Sequence, residues 1–402
     1  MKYAYLDYPT KKEIFIESFD PKEADARWEK IWHERCSKSE KVFLKTKHGE
    51  NFLFVMMPSL LHLITQISEQ RGFLEATTLS SVAQKRLKEK AANYEAYYSS
   101  RIEGADSSLE EALLFINKRQ KYSSNESLQM IKNNRRALDY AMKQMGQPIT
   151  HDLICKLQFI LTENTHCQKP IIVGEYRHGP VYIVNGVGQV VYEGPSFEKV
   201  PNMMEDFIQW INNNDRMHPL IKAGIVHFYF VHVHPFDDGN GRTARALSNL
   251  VLANSGFRFI NMLSLSDYFD HKRPSYYKAI QDVREHNHDL TYFLIFFMEA
   301  LLMKLKDFRK EIAFESKLRK LKELMDPKIY QQMHPRHTKT LQIMLKTNEI
   351  MTTKKYCKLN KCSDETARKD FQDLIDFNLI KSVGEGRSRG YQLASSIVSA
   401  IS

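Results

Sequence analysis

The residues with the clearest chemical potential lie in one stretch, HPFDDGNGRTAR, residues 234–245. Its GNG segment precedes a helical pattern, so the backbone N–H groups of the turn can form a concave nest that binds phosphate-like anions. Arg242 and Arg245 follow three residues apart, on nearly the same face of the first helical turn. Arginines at the positive end of a helix dipole are mildly destabilising unless an anion lies among them. The stretch therefore predicts an anion site.

Two further side chains of this stretch extend the prediction from binding to chemistry. Asp238 immediately precedes the nest, where a hard carboxylate oxygen can hold Mg²⁺ beside phosphate oxygens. His234 ends the preceding helical segment, and an imidazole suits a general base that takes a proton from an attacking hydroxyl. A glycine-rich turn alone is more often a tight connection, and His227, His232 and His234 could be packing residues or metal ligands. Because base, carboxylate, nest and paired arginines occur together, we interpret the stretch as a site for phosphoryl or nucleotidyl transfer.

Composition bounds the class of protein. The chain has 402 residues and a net charge of +10, which permits contact with nucleic acid, nucleotides or anionic membranes but identifies no site. The five cysteines show no CxxC spacing, which favours reduced thiols over a disulfide framework or a zinc site. The amino terminus lacks the apolar run of a secretory signal, and the most apolar segment is interrupted by polar residues. We expect no transmembrane helix and a cytoplasmic location, with delivery to a host by a dedicated secretion machine left open.

The elements that must position these residues are mostly helical. We predict an N-terminal helical region over 1–78 and a helical core over 79–300. Within the core, VYIV and QVVY form a β-hairpin over 181–192. A helical connector over 301–334 leads to three short helices and a second hairpin over 335–402, an arrangement typical of a winged helix-turn-helix. The fold class is mainly α, with the small hairpin beside the loop that carries the motif.

At this point the residues resemble a known family. HPFDDGNGRTAR is similar to the full signature of Fic proteins, and GEYRHGPVYIV and VVYEGPSFEKVPNMMEDFIQWI resemble the flap of that family and its following helix. The resemblance extends from about residue 80 to about residue 300. It implies a Fic-type helical core that transfers AMP from ATP to a Ser, Thr or Tyr hydroxyl of a target protein, with self-modification and a homodimer as further expectations.

The resemblance also implies roles for individual residues. His234 would be the general base and Asp238 the Mg²⁺ ligand. The nucleotide would be held by residues of the nest and its helix and by two tyrosines: Gly239, Asn240, Gly241, Arg242, Thr243, Arg245, Tyr276 and Tyr277. The flap would dock an extended target segment by strand addition through Val181, Tyr182, Ile183 and Val184.

Tyr276 and Tyr277 could have a role other than nucleotide binding. In some family members an asparagine follows eight positions after the first tyrosine and lines the adenine pocket. Here that position is Arg284. Ordinary helix packing therefore stays open as the role of Tyr276 and Tyr277.

A second segment, SSRIEG at residues 99–104, resembles the inhibitory motif of Fic proteins that have an amino-terminal inhibitory helix. Ser99 and Glu103 share a helix face, and Gly104 suits the C′ position. The resemblance implies that Glu103 pairs with Arg245 and blocks the place of the γ-phosphate. In some relatives the same glutamate orients a water that removes AMP from the target, so we expect a self-restrained AMP transferase with de-AMPylation as a second activity.

The alternative class of function is a DNA-binding transcriptional regulator. Arg368 and Lys369 lie in the predicted recognition helix, and Arg387 and Arg389 lie in the wing. The nine Lys and Arg against six Asp and Glu between Met351 and Leu393 are modest for a dedicated DNA binder, and winged helices also dock proteins. UMP transfer, phosphocholine transfer and phosphorylation stay open as other reactions of the scaffold.

Overall fold

Two compact units make up the chain, residues 1–306 and 307–402, with the boundary inside one long helix. The computed structural model describes residues 8–18, 20–77, 79–118, 122–165, 171–184, 188–213, 216–385 and 389–401. Of the helices in these ranges, none combines the length and the apolar character that a bilayer crossing requires.

The first unit is mainly helical, as the sequence predicts. Its amino-terminal and middle elements are α1 (Lys11–Glu17), α2 (Pro21–Lys38), β1 (Ser39–Lys45), β2 (Asn51–Val55), α3 (Pro58–Ala76), α4 (Ser81–Ile102), α5 (Leu109–Ile116), α6 (Glu126–Lys143) and α7 (His151–Thr162). They are followed by β3 (Tyr182–Val184), β4 (Val190–Glu193), α8 (Val200–Asn212), α9 (Pro219–Val233), α10 (Asn240–Asn254), α11 (Leu265–His271), α12 (Arg273–Glu285) and α13 (Thr291–Leu324), with 3₁₀ turns at Phe197–Lys199 and Arg258–Met262.

Helices α9 and α10 form the centre of this unit. Both are buried around almost their whole circumference, and α10 packs against α9, α4, α6 and α7. The apolar face predicted for α9 is buried, and so are polar residues of α10 such as Ser248 and Asn249. A helix buried on all sides holds its ends rigidly, so the loop between α9 and α10 is fixed by the core on both sides.

Local signals place the ends of α4. Ser80 caps the first turn with its side chain, which accepts a hydrogen bond from the amide of Ala83. Gly104 takes a φ of +100°, and the amide of Ala105 donates to the Ser100 carbonyl at 3.1 Å. The predicted C′ glycine is thereby confirmed, and the helix ends beside Glu103.

The amino-terminal region, predicted as helical, also contains a pair of strands. Strands β1 and β2 pair antiparallel in it, so the flap is not the single hairpin of the unit. The strands bury alternate residues, for example Val42, Leu44, Phe52 and Phe54. This short period-2 pattern was missed because a charged turn, with Gly49 at a φ of +90°, interrupts it.

The predicted flap hairpin is present as β3 and β4, which pair antiparallel with Ile183 opposite Tyr192. The tip at residues 185–187 lies outside the described residues, as does the side chain of Val184.

The second unit contains the end of α13 and α14 (Pro327–Gln332), α15 (Pro335–Thr347), α16 (Thr353–Asn360), α17 (Asp364–Asp376), β5 (Ile380–Val383), β6 (Gly390–Leu393) and α18 (Ser395–Ile401). Three helices followed by a hairpin are the order of elements that the sequence predicts. The unit is longer than predicted, because Leu318, Leu321 and Met325 of the expected connector are buried in the same core as Phe371 and Leu374. Gly386 and Arg387 of the predicted wing lie outside the described residues.

Candidate functional site

The loop between α9 and α10 carries the motif in a fixed conformation. His234 ends α9 in the left-handed region, with a φ of +50°, and its Nδ1 lies 3.3 Å from the Val231 carbonyl oxygen. Gly239, at a φ of +86°, precedes α10. The Asn240 side chain ties the start of α10 to the loop that follows α9. Its Oδ1 accepts from the Phe236 amide at 3.0 Å, and its Nδ2 donates to the Phe236 carbonyl at 2.7 Å. The turn is thus built before any ligand arrives.

We expect Asn240→Ala to destabilise the protein by roughly 2–4 kcal/mol, because two backbone groups of buried Phe236 lose their partners. Chemical unfolding in urea measures the change. Asn254→Ala is the matched control, since the exposed Asn254 amide also bonds both an amide and a carbonyl, those of Gly146 and Gln147. Equal losses in the two variants would contradict the account of a preformed turn.

Arg242 lies within the protein rather than at its surface. One guanidinium nitrogen donates to the Asp238 carboxylate and another donates to the Leu161 carbonyl at 3.2 Å. The third nitrogen, Nε, and the neighbouring Thr243 hydroxyl are buried without a hydrogen-bond partner. Unsatisfied buried donors are costly, so their presence at the start of α10 indicates a place where a ligand or water completes the bonding.

Arg245 is hydrogen-bonded to residues of the SSRIEG segment at the end of α4. Its Nε donates to Ser99 Oγ at 2.7 Å, and its Nη2 donates to the Ser99 carbonyl at 3.0 Å and to Glu103 Oε1 at 2.7 Å. The Glu103 carboxylate also covers Gly241, because its Oε1 fills the space that a Cβ on this residue would need. A carboxylate therefore lies against the start of α10, where the sequence predicts an anion site.

One large cavity, of about 1890 Å³, opens beside this contact. His234, Gly241 and Glu103 line its inner end. Helix α12 forms one wall and the flap another, through Tyr182, Ile183 and Val191. The volume exceeds that of a typical small-molecule pocket, which leaves space for a nucleotide and a segment of a second molecule.

The environment of His234 favours the neutral imidazole. Burial lowers the pKa of His234 to about 4, with Val231 and Glu103 opposing the shift and Arg284 and Arg177 adding to it. Burial also lowers the pKa of His227 and of His232 well below the ordinary value. His227 bonds Tyr276 and His232 bonds Tyr192, so both occupy packing positions, and His234 is the one that faces the cavity.

The two tyrosines predicted for the nucleotide pocket differ in their surroundings. Tyr276 is 2% exposed, and its hydroxyl lies 2.8 Å from His227 Nε2, which supports the packing role for most of its surface. Tyr277 is 49% exposed, and its hydroxyl donates to the Ile102 carbonyl at 3.4 Å. Both line the cavity, and Tyr277 offers it the larger surface.

The flap presents apolar side chains to solvent. Tyr182 is exposed, Val181 and Ile183 are half-buried, and Val190 and Val191 of the facing strand are exposed. An edge of this kind can accept an added strand.

Two features of the site were missed from the sequence, and the surroundings of a third residue, Arg284, could not be predicted. Arg177 is buried and ties the flap to the motif, since its side chain donates to the His234 carbonyl at 2.9 Å and to the Gly179 carbonyl at 2.7 Å. The segment Pro9–Glu17 lines the outer cavity. Arg284 lines it too, next to the flap. Each belongs to a segment remote from the motif, and a lone arginine or a short amino-terminal helix carries no signal of such a position.

The chain is similar to proteins of one family. The Fic/DOC family model matches residues 148–252. Protein adenylyltransferase Fic of Drosophila mojavensis is 30% identical over 199 residues, 48% of this chain and 38% of that protein. The protein of the same name in Nematostella vectensis is 28% identical over 220 residues, 52% of this chain and 49% of that one. The chain thus spans less than half the length of these curated relatives.

Solved structures show the same fold. A Fic family protein from Desulfovibrio desulfuricans G20 superposes with a TM-score of 0.57 at 19% identity, over 85% of this chain and 98% of that one. Fic-1 from C. elegans, residues 134–508, gives 0.50 at 22% identity, over 64% of this chain and 72% of that one.

Proposed function

We propose that this chain, which contains a Fic domain over residues 148–252, transfers AMP from ATP to a hydroxyl group of a protein and restrains that reaction through Glu103. The observation that carries the proposal is the geometry at the start of α10. A neutral histidine, a preformed turn with unsatisfied donors and a carboxylate lying in the anion position meet at one end of a large cavity. The names of the relatives agree with this reaction class.

The first step is deprotonation of the acceptor by His234. Because Nδ1 faces the Val231 carbonyl, we assign its proton there, which leaves the lone pair of Nε2 to accept a proton. The acceptor oxygen then attacks the α-phosphorus, the bond to the β-phosphate breaks, and pyrophosphate leaves with the electron pair. The turn from Gly239 to Thr243 supplies N–H donors for the α- and β-phosphates, and Arg245 supplies charge for the γ-phosphate.

Mg²⁺ fits the donor set. Asp238 provides a carboxylate beside the nest, and its side chain is 29% exposed, so a cation bound to phosphate oxygens can reach it. The pairing with Arg242 orients this carboxylate. When bound, the ion neutralises charge on the phosphates.

Glu103 supplies the restraint. Its carboxylate and the γ-phosphate compete for Arg245, so ATP can extend along the nest only when Glu103 moves. The same carboxylate lines the cavity beside His234, where it can orient a water. This proposal includes hydrolysis of an AMP ester: the water attacks the phosphorus, the bond to the side-chain oxygen breaks, and AMP leaves. Glu103 takes a proton from the water, and His234 Nε2 relays a proton to the departing oxygen, which restores the free hydroxyl.

Labelling of the Glu103→Gly protein tests the proposed reaction. ATP carrying a radioactive α-phosphate should label protein covalently, and ATP carrying the label at the γ-phosphate should not. Label from the γ-position would indicate phosphorylation and contradict AMP transfer. Competition with unlabelled UTP distinguishes AMP transfer from UMP transfer.

The transfer rate should stay level as pH falls from about 8 to about 5. His234 can act as a base only when its imidazole is neutral. Because burial lowers its pKa from 6.5 to about 4, protonation abolishes the base only near pH 4. Glu103 raises the pKa of His234, so its replacement removes an opposing contribution. The pKa of His234 therefore stays below the ordinary value in the Glu103→Gly protein. Single-turnover rates at saturating ATP measure the profile. A twofold fall between about pH 8 and pH 6.5 would show a histidine with an ordinary pKa and contradict the assignment.

The second unit gives less support to the DNA-binding alternative. Arg368 and Lys369 are exposed on α17, but Asp364 and Glu365 occupy the first turn of the same helix, where their charges repel phosphates. We therefore propose no DNA-binding function.

A further inference from the structure

Arg177 connects the motif loop to both ends of the flap hairpin. Its Nε donates to the His234 carbonyl at 2.9 Å. Its Nη1 donates to the Gly179 carbonyl at 2.7 Å, and its Nη2 donates to the Pro195 carbonyl at 2.5 Å. Gly179 lies three residues before β3, and Pro195 lies two residues after β4. One guanidinium group therefore bonds the residue proposed as the base and the two chain segments that support the flap.

The Arg177 side chain acts only through the groups that it bonds. It is 1% exposed, so a molecule in the cavity cannot contact it directly. Its three acceptors are backbone carbonyls of separate segments, and the planar fork of a guanidinium fixes such acceptors relative to one another. The single nitrogen of a lysine carries the same charge but cannot reach three separated carbonyls at once.

His234 is the acceptor whose geometry depends most on this bond. Its φ of +50° lies in the left-handed region, which a residue with a Cβ adopts only where its surroundings hold it there. The His234 amide donates to the Phe230 carbonyl at 3.0 Å, and the His234 carbonyl accepts from Arg177. The direction of the imidazole follows from this backbone. Without the bond to Arg177, the residue is free to leave the left-handed region and turn its ring away from an acceptor.

The segment that leads into the flap is bonded to the motif loop at two further points. The Arg177 amide donates to the Pro235 carbonyl at 2.9 Å. The Ile172 amide donates to Asp237 Oδ2 at 3.1 Å. Because this segment is attached to the loop at both of its ends, a shift at the base of the flap is passed to the loop.

The flap is short, so its two ends cannot move independently of its edge. Strands β3 and β4 contain three and four residues. The Gly194 amide donates to the Val181 carbonyl at 3.1 Å and closes the base of the hairpin. An acceptor strand that pairs with this edge fixes most of the hairpin, including the carbonyls of Gly179 and Pro195 that bond Arg177.

We propose that Arg177 is a positioning residue that makes the ability of His234 to take a proton depend on the flap. An acceptor strand on the flap fixes Arg177, and Arg177 fixes His234. The inference rests on the proposed AMP transfer. It adds that the acceptor helps to assemble the base, so the preferred substrates are hydroxyl groups on extended segments that pair with the flap.

Arg177→Lys, introduced into the Glu103→Gly protein, tests the positioning role. The acceptor is one peptide recovered by its AMP label from a degenerate pool with a fixed Ser, Thr or Tyr. We expect kcat to fall about 10²-fold, because a small displacement of the base is enough for such a loss. The KM for the peptide and the affinity for ATP, measured by calorimetry, should change less than about twofold. A tenfold loss of ATP affinity would place Arg177 in nucleotide binding and overturn the inference.

Backbone methylation of the peptide tests the dependence on the flap. Copies of the peptide, each methylated at one backbone amide, lose one hydrogen bond of an added strand. Methylation that raises KM in the Glu103→Gly protein should also lower kcat there, and it should leave kcat unchanged once Arg177→Lys is present. Losses in kcat that multiply in the two cases would show that the flap and Arg177 act independently. That outcome, or a kcat that no methylation lowers, would overturn the inference.

Arg35→Lys is the matched control, since Arg35 is also buried and donates to a carbonyl of a remote segment, that of Pro9, at 2.9 Å. It should cost similar stability in urea and change kcat less than about twofold. An equal fall in kcat would show general loosening and contradict the positioning role. Unchanged kcat in Arg177→Lys would overturn this inference alone, with AMP transfer intact. If the Glu103→Gly protein labels neither itself nor any peptide, the proposed function fails and this inference fails with it.

Discussion

Glu103→Gly should increase covalent AMP transfer by about tenfold to a hundredfold over the parent protein. In the parent, the Glu103 carboxylate lies 2.7 Å from Arg245 Nη2 and fills the space above Gly241. Removing it frees the guanidinium for the γ-phosphate and opens the anion position. Glycine at this residue costs the fold little, because Glu103 caps α4 and already lies outside its regular turns. Initial rates of label incorporation at saturating ATP measure the change.

The control for this variant is Glu163→Gly. Glu163 also caps a helix, α7, and its carboxylate also forms an ion pair, with Arg136 at 2.6 Å. Loss of this pair reproduces the cost of losing a cap and a salt bridge without touching Arg245. A similar gain in both variants would show a general loosening of the fold, and no gain in Glu103→Gly would contradict the restraint.

His234→Ala, introduced into the Glu103→Gly protein, should reduce transfer by about 10²–10⁴-fold. The neutral imidazole is the group at the inner end of the cavity that can accept the proton of an acceptor hydroxyl, and alanine cannot replace it. The affinity for ATP should change little, because the backbone turn and the arginines that would hold the phosphates are retained. Rapid-quench measurement of the chemical step, with calorimetry for ATP, separates the two effects.

His271→Ala is the matched control, since His271 is an exposed histidine at the end of α11, with its Nδ1 bonded to the Asp267 carbonyl. It should transfer AMP at the rate of its parent. If His234→Ala retained more than about a tenth of the rate, another group would have to act as base and the mechanism would be wrong.

Local patterns predicted the parts of the site that are contiguous in sequence. The turn before α10 follows from Gly239 and Asn240, and the end of α4 follows from Gly104, because positive φ angles and caps are decided by neighbouring residues. The fold class followed from helix-forming composition and from the periodicity of amphipathic helices such as α6 and α8. The contact between Glu103 and Arg245 joins residues 142 apart and was accessible only through resemblance to the family.

Contacts between remote segments could not be predicted. Arg177 bonds the carbonyls of His234 and Gly179, and these bonds depend on how the flap packs. The outer cavity wall depends on Tyr8, whose hydroxyl donates to Asp289 at 2.5 Å across 281 residues. Arg35 secures the same segment by donating to the Pro9 carbonyl at 2.9 Å. These positions result from tertiary packing, which no spacing rule encodes.

Asp238 and Arg242 contact each other, which their predicted roles did not include. The sequence predicts that Asp238 binds Mg²⁺ and that Arg242 binds phosphate. In the structure the Arg242 guanidinium donates a hydrogen bond to the Asp238 carboxylate. Residues four apart across a helix start can make this contact, so the spacing allowed it. The pairing gives Arg242 a partner in the absence of nucleotide and explains how a buried guanidinium is tolerated there.

Intact-mass spectrometry of the purified Glu103→Gly protein, incubated with ATP and Mg²⁺, tests the central claim most directly. The account predicts a mass increase equal to one AMP moiety or a multiple of it. It predicts a much smaller increase in the parent and none in the Glu103→Gly, His234→Ala double variant. No increase in the mass of the Glu103→Gly protein, or an equal increase in the double variant, would contradict AMP transfer by His234 under the restraint of Glu103.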